Sequence, residues 1–556
     1  MSSQNKLIFL PLGGAGEIGM NMYLYGYGPK GKERFIMVDL GVTFPAMDGT
    51  PGVDLIMADP AYIEARINRL DAIFITHAHE DHIGALGLLY PKLAVPVYAR
   101  PFTAAVARAK MEDRGQDAGV IKVVDAYPTQ IKAGPFTVSY LPLSHSIPEA
   151  AGLIIDTPKG RIVHTGDFKL DKNPIVGDPY DPALFAEIAR NGVKALVCDS
   201  TNVFSPLPGR SESSLNSNIT KLIAGASGMM VATTFASNVA RLKTLAQAGV
   251  DAGRSVCVLG RSMQRMLDYS RSTGVLDNFP PTIELEDALS IPRENLMLIV
   301  TGSQGEGRAA SAQLARGKYL GLSMHEGDTF LFSSKTIPGN EVPVGRIVNS
   351  FSEMGVNVID ESDGLYHVSG HANRPDLEEV HDILKPQMLI PMHGEHRHLR
   401  THAKLAESKG IASIIAPNGA MIDLTGDKPK LVEQIETSRL YLDGSQLIGA
   451  FDGVVLERIR MATRGLVALS VIIEEGEVIG VWAEAMGLPE TRAMDAGLNA
   501  MIEDAVEKEL QGAKRKLLNS DDEVERLVSR IVNRVCRDSV GKKPVSQVMI
   551  NRLVAD

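Results

Sequence analysis

Cysteine is scarce in this 556-residue chain: only Cys198, Cys257 and Cys536, far apart and with no C-x-x-C pair. A disulfide framework is therefore excluded as its organising device, and a reducing compartment, the cytoplasm, is the expectation. Long apolar runs are also missing. Leu7–Leu12 is too short for a signal-peptide core, and Glu17 soon follows. The longest uncharged stretch, Leu222–Ala240, has the length of a membrane span but contains Ser227, Thr233, Thr234, Ser237 and Asn238, and reads as a buried strand and turn. No membrane association is expected. There is no internal repeat and no low-complexity tract. What remains, 44% hydrophobic and 22% charged residues, is material for large cores. The length suits about three or four domains.

An excess of basic charge is lacking too, with 57 basic against 67 acidic residues and a net charge of −10. The distribution is uneven, however. Residues 206–350 carry 14 basic and 12 acidic residues, while the remainder carries 43 and 55. The global sign thus does not exclude a phosphate-rich ligand at a local patch.

The first third alternates short β-branched runs (Leu7–Leu12, Phe35–Val38, Ala72–Ile75, Phe136–Tyr140, Gly152–Ile155) with glycine-rich turns and amphipathic helical stretches such as Phe102–Lys110. From Ser211 to about Ser350, strand and helix alternate, with helices expected from Asn238 and Ser262. This is the pattern of an inserted α/β domain. Short strands return over Gly355–Asp423, and a hairpin is expected over Leu466–Ile473 and Val478–Ala483. Two charged helical runs, Arg492–Leu518 and Asp521–Asp538, then follow. The expected domains are 1–205 with 351–427, an insertion 206–350, a linker 428–454 and a tail 455–556.

The densest chemistry lies in Thr76-His77-Ala78-His79-Glu80-Asp81-His82, directly after an apolar strand. In an extended segment His77 and His79 point the same way, while Asp81 and His82 fall where the chain turns into a helix. Such a cluster offers nitrogen ligands to one metal ion and a mixed nitrogen–oxygen set to a neighbour. His145, Asp167 and His393 each follow a short apolar run, which suits a site at the carboxyl edge of a sheet. The turn His367-Val368-Ser369-Gly370-His371 reads either as a phosphate grip or as a tight turn with a capping serine. Ser237 and Asn238 either hold a 5′ phosphate at a helix start or cap that helix. Gly14-Ala-Gly-Glu-Ile-Gly19 matches a dinucleotide-binding pattern, but a strand-like run follows where a helix is required, so a hairpin turn is preferred. His396, His398 and His402 are expected on a helix facing solvent.

Taken together, His77-x-His79-x-Asp81-His82 with His145, Asp167 and His393 resembles the binuclear site of the metallo-β-lactamase fold. Further phrases resemble the bacterial ribonuclease J family: Gly13–Asn21, Asp199-Ser-Thr-Asn202, Thr234–Asn238, Thr301–Glu306, Ile337–Glu341 and His367–His371, all in order along the chain. The resemblance is dense to about residue 400 and vague beyond Arg439. It implies an α/β protein: a metallo-β-lactamase αββα sandwich with an inserted β-CASP domain and a small α+β C-terminal domain. It also implies two divalent cations. One would be held by His77, His79 and His145, the other by Asp81, His82 and His393, with Asp167 bridging. Zinc is favoured by the histidines, with manganese or magnesium compatible. Asp81 would orient or deprotonate the attacking water, and His371 would protonate the leaving oxygen or steady the scissile phosphate. A structural calcium is not expected, because the run after Phe44-Pro45 holds only Asp48 of the acidic residues that can serve it.

The implied activity is hydrolysis of RNA, 5′-to-3′ and internally, in mRNA decay and rRNA maturation, on single strands with a 5′ monophosphate. The tail 455–556, with its hairpin and charged helices and no histidine, reads as an oligomerisation or RNA-positioning module, not a second active site; implied partners are further copies of the chain, a homodimer or homotetramer through this domain, and an RNA-degradation complex. The alternatives are a DNA nuclease of the same superfamily, a small-molecule hydrolase that leaves the insertion without a purpose, and a non-catalytic RNA-binding scaffold. The last usually requires a missing ligand, and none is missing.

Overall fold

The computed structural model describes residues 5–46, 48–490 and 497–553. The chain forms two compact units, residues up to 43 with 57–439, and residues 44–56 with those from 440 onward. In the first unit, the alternating apolar runs build two large sheets. One has eight strands in the order Lys430–Gln434, Ala420–Asp423, Lys6–Gly13, Met22–Gly28, Arg34–Val38, Leu70–Phe74, Val97–Ala99, Ile121–Val123. The other has seven: Ile131–Ala133, Phe136–Pro142, Ala151–Thr157, Gly160–His164, Ala195–Asp199, Met388–Met392, Ala412–Ser413.

Period-two alternation sends Leu7, Phe9, Tyr23, Tyr25, Ile36 and Val38 of the first sheet into one core with Val138, Tyr140, Leu153, Ile155 and Val197 of the second. Each fully buried aliphatic or phenyl side chain contributes about 1.5–3 kcal/mol, so this shared interior holds the sheets face to face. Residues of opposite parity in the second sheet, Ile154, Val163, Leu196 and Leu389, pack under Phe185 and Ile188 of the helix Pro182–Ala189 and Leu377 and Val380 of the helix Arg374–Leu384. Helix Pro101–Glu112 lies beside Val97–Ala99 and Ile121–Val123. The result is the expected αββα sandwich.

The insertion is a third sheet of five parallel strands, ordered Ser255–Leu259, Leu296–Val300, Met230–Thr233, Thr329–Phe332, Asn357–Ile359. Its three central strands are buried throughout, with a core on each face. A parallel sheet covered on both faces needs near-continuous apolar strands, which is why Leu222–Ala240 resembled a membrane span. Among the described residues, no helix is long and apolar enough to cross a membrane.

In the second unit the hairpin Leu466–Glu474 and Glu477–Met486 forms as expected. A third strand, Val545–Leu553, pairs parallel to Leu466–Glu474 and was not anticipated; its pattern is half-polar (Val-Ser-Gln-Val-Met-Ile-Asn) and carries little strand signal. Of the expected helical run Arg492–Leu518, residues 492–496 lie outside the described residues, and the rest forms two helices, Leu498–Gln511 and Arg515–Leu518. The other expected run forms one helix, Asp521–Val540. Within 428–454, read as a linker with irregular strands, Lys430–Gln434 is the edge strand of the eight-stranded sheet, and Arg439–Asp443 pairs with Gln446–Gly449.

Candidate metal centre

Strand direction gathers the site. Gly160–His164, Ala195–Asp199 and Met388–Met392 run parallel, so Asp167, Asp199 and His393 emerge at one edge of the seven-stranded sheet. Phe136–Pro142 runs the same way through two antiparallel pairings and delivers His145 there. In the facing sheet Arg34–Val38 and Leu70–Phe74 are also parallel, and they deliver Asp39 and the His77–His82 segment. Carboxyl edges of parallel strands are where open α/β sheets bind ligands.

Every residue expected as a metal ligand reaches this edge. Ligand atoms of His77, His79 and His145 converge within 4.8 Å, and so do those of Asp81, His82, Asp167 and His393. Asp167 is central: its Oδ2 lies 3.2 Å from His82 Nε2, 3.5 Å from His393 Nε2, 3.8 Å from His145 Nε2 and 3.9 Å from His77 Nε2. Asp81 Oδ2 lies 3.6 Å from His82 Nε2 and 3.7 Å from His393 Nε2. The Asp81 side chain is 31% exposed while that of Asp167 is 2% exposed, so Asp81 alone of the two carboxylates meets incoming molecules. His393 sits at φ 49°, a left-handed conformation uncommon for a residue other than glycine.

Three features of the donor set fit divalent cations. First, His77 Nε2 and Asp167 Oδ1 are buried without a hydrogen-bond partner among the described residues; such orphans cost about 1–3 kcal/mol each, more when charged. Second, burial pushes His77 and His145 well below the usual imidazole range and His79 down to about 4, leaving neutral rings with free lone pairs. Third, Asp167 stays ionised: burial raises its carboxyl, but His393 and His82 outweigh that and hold it well below the usual range. His82 behaves oppositely, because Asp167, Asp81 and Asp39 overcome the effect of its burial. A bound cation would displace that proton.

Residues that the sequence reading did not single out hold the ligands in place. Asp39 Oδ2 accepts from His82 Nδ1 at 2.7 Å and from Thr76 Oγ1 at 2.8 Å, and Thr76 Oγ1 lies 3.0 Å from His77 Nδ1. Asn21 Oδ1 accepts from His393 Nδ1 at 2.8 Å and from Tyr23 Oη at 2.7 Å. Orienting partners of this kind set the tautomer and angle of ligating histidines. The loop Gly13–Asn21 thus serves the site through Asn21, followed by the strand Met22–Gly28, as expected for a turn and not a dinucleotide motif.

The turn His367–His371 lies against the same site. His371 Nδ1 donates to Asp199 Oδ2 at 2.8 Å, and its ring centroid is 5.0 Å from that of His145. Burial alone would lower the His371 imidazole, but Asp199 carries it up to about 9. Gly370 also helps orient His145 from this turn. Its carbonyl accepts from His145 Nδ1 at 2.6 Å, and a Cβ there would come within 2.8 Å of the His145 ring. Ser369 Oγ accepts from Asn202 Nδ2 at 2.8 Å and from the His371 amide at 3.1 Å, which leaves its own proton to donate. Val368 is buried in the core of the inserted domain. His367 Nδ1 faces Arg241 Nη1 at 3.2 Å; burial, then Arg241, push this imidazole well below its usual range.

Asn238 Oδ1 accepts from the Arg241 amide at 3.0 Å and caps the helix Val239–Asp251, so its side chain is engaged locally. Ser237 is half-buried in the same turn. Arg241, wholly buried and paired with Glu212 at 2.5 Å, also donates to the carbonyls of Ser333 and Val368, tying the inserted domain to the turn. The placement of His398 and His402 corrects the expectation of a solvent-facing helix. The helix His396–Ser408 forms, but both are buried, and only His396 is exposed. His402 Nδ1 lies 2.9 Å from Ser200 Oγ and its Nε2 3.1 Å from His381 Nε2.

This double-sheet sandwich, its His/Asp site at the strand ends and its inserted parallel sheet, defines a metallo-hydrolase of the metallo-β-lactamase superfamily with a β-CASP domain. Models of the metallo-beta-lactamase superfamily (residues 16–218), the ribonuclease J beta-CASP domain (227–351), the Zn-dependent metallo-hydrolase RNA specificity domain (363–417) and the ribonuclease J C-terminal domain (453–553) match the chain. Ribonuclease J of Sinorhizobium meliloti is 40% identical over 566 residues, covering 100% of this chain and 98% of that protein. Ribonuclease J 1 of Streptococcus pyogenes is 36% identical over 469 residues, 83% of this chain and 82% of that one. The chain belongs to the ribonuclease J family. A crystal structure of a protein of unknown function from Enterococcus faecalis, 18% identical, superimposes with a TM-score of 0.52 over 75% of this chain and 100% of that one, and shares the fold.

Proposed function

We propose that this protein, a metal-dependent ribonuclease by family, hydrolyses single-stranded RNA both from a 5′-monophosphate end and internally, in mRNA decay and rRNA maturation in the cytoplasm. The observation that carries the reading is the convergence of seven histidine and aspartate side chains, Asp167 at their centre, in two adjoining ligand sets. His77, His79 and His145 would hold one cation and Asp81, His82 and His393 a second, with Asp167 reaching both. When bound, two such cations, zinc by donor type, supply an acidified water and neutralise charge building on phosphorus.

The chain's own groups supply the rest. Asp81, the carboxylate open to solvent, orients the attacking water and accepts its proton. His371, protonated beside Asp199, donates to the departing 3′ oxygen or steadies the phosphate. Ser369 Oγ–H and the His367 ring donate to the phosphates on either side of the cleaved bond, while Val368 and Gly370 anchor that turn. Ser237, next to the start of the helix Val239–Asp251, receives a terminal phosphate in this reading, with Asn238 shaping the turn as its cap.

The test is digestion of matched 5′-monophosphorylated RNA and DNA strands by the purified protein. Mononucleotide release from RNA, abolished in His77→Ala, is expected. A DNA preference, no release, or full activity in His77→Ala contradicts the reading. For the C-terminal domain, exposed Ile479, Trp482 and Met549 on its sheet support assembly into a homodimer or homotetramer. Light scattering of a protein ending near Val455 should report a smaller assembly, and an unchanged subunit number refutes this.

A further inference from the structure

Away from the metal centre, basic side chains gather on one surface of the C-terminal unit. A hollow of about 410 Å³ there is lined by Arg464, Arg530, Asn533, Arg534, Arg537 and Lys543. The concentration is local: over residues 440–556 acidic residues outnumber basic ones, 19 to 15. The helix Asp521–Val540 explains the arrangement. It buries Val524, Val528, Ile531, Val532 and Cys536 against the sheet, which leaves Arg530, Arg534 and Arg537, at i, i+4 and i+7, on one exposed face. Arg464 joins them from the end of the helix Val454–Arg464, and Lys543 from the segment after Gly541.

Some of this charge has a structural use. Arg534 pairs with Glu509 at 2.9 Å and Arg537 with Asp538 at 3.0 Å, both well exposed to water. Arg464 and Arg537 also lie in the last turns of their helices, where each carbonyl end attracts cations with about half a charge. Setting these against the five cations still leaves an excess of about two positive charges. Among the described residues, Arg464, Arg530 and Lys543 have no acidic partner. Arginine forks in a row on a helix match phosphate oxygens, which they can engage bidentately.

We infer that this hollow binds the phosphodiester backbone of RNA, independently of base sequence and apart from the metal centre. The inference rests on the proposed RNA-hydrolysing function. The full-length protein with Arg530, Arg534 and Arg537 all changed to alanine is compared with wild type, using a long hydrolysis-resistant phosphorothioate RNA for binding and a short natural RNA for cleavage. Each lost phosphate contact removes about 0.7 from the slope of log affinity against log salt, so the triple variant should lose about 2 in slope and bind the long RNA about 10- to 100-fold more weakly at low salt. Its turnover of the short RNA and its thermal midpoint should stay at wild-type values. Changing the same three residues to lysine should restore most of the slope, which a merely structural role would not.

Equal affinity and equal slope in the alanine variant overturn the inference and leave the hollow to an acidic protein partner. A wild-type protein that neither binds nor cleaves RNA overturns the proposed function and this inference together; cleavage by wild type with no change in the variant overturns this inference alone.

Discussion

Two groups of buried histidines lie in the first unit, and only one is built for metal. At the strand ends, rings of His77, His79, His82, His145 and His393 surround the carboxylates of Asp167 and Asp81. Beyond them, His402 meets His381 and Ser200, and His398 packs against Phe204. An orphaned ring nitrogen does not separate the two, since His381 Nδ1 and His398 Nδ1 are unpartnered just as His77 Nε2 is. Carboxylates do. Among the described residues no buried carboxylate hydrogen-bonds to the second group, and only His381 and His402 meet ring to ring, as neutral donor and acceptor. In the first group, anionic oxygens make several imidazoles face one point. Histidine density marks a polar core; histidines around a buried, ionised aspartate mark a cation site.

The sharpest break in the comparison is expected from Asp167→Asn or His77→Ala. Either should lower kcat for RNA about 1,000-fold or more, equivalent to about 4 kcal/mol of barrier, and reduce bound metal, with the fold retained by circular dichroism. Next comes Asp39→Asn: Asp39 is not itself an expected ligand, but its carboxylate is the acceptor of His82 Nδ1. Equilibrium dialysis should show metal affinity falling about 10- to 100-fold; unchanged affinity would mean that Asp39 serves only the core.

The second group should respond in the opposite currency. His402→Ala should cost about 2–4 kcal/mol of stability in denaturant unfolding, through a cavity and a lost hydrogen bond, while metal content stays at the wild-type value. A loss of metal there would erase the distinction between the groups. The smallest expected effect is on pH dependence. Burial depresses His381 to about 4 and His402 well below its usual range, so the unfolded chain binds these protons first. Their contribution is fully present above about pH 6.5 and is lost as pH falls toward 4. Denaturation midpoints of wild type and His381→Gln should therefore diverge at neutral pH and draw together below about pH 5.

Legibility in the sequence followed locality. His77, His79, Asp81 and His82 were readable because six consecutive residues carry them, and His145, Asp167 and His393 because each ends an apolar strand. Asp39 and Asn21 were not, since their roles depend on which strands lie side by side, a contact spanning 43 residues for Asp39 with His82 and 372 for Asn21 with His393. Arg241 and Glu212 carry charges usually found at surfaces, and nothing local announces that they are buried together. His398 and His402 misled for a related reason. The segment His396-Arg-His-Leu-Arg-Thr-His402 reads as polar, yet positions 398, 399, 402 and 403 share one helical face, and that face is the buried one. The fold was legible where periodicity was strong and failed at Val545–Leu553, where alternation is mixed with polar residues.

Metal stoichiometry on the purified, active protein, combined with anomalous scattering to locate each ion, tests the paired-cation site most directly. Two ions per chain are predicted, one beside His77, His79 and His145 and one beside Asp81, His82 and His393. A fully active preparation with a single ion, or with ions anywhere other than around Asp167, would contradict the account.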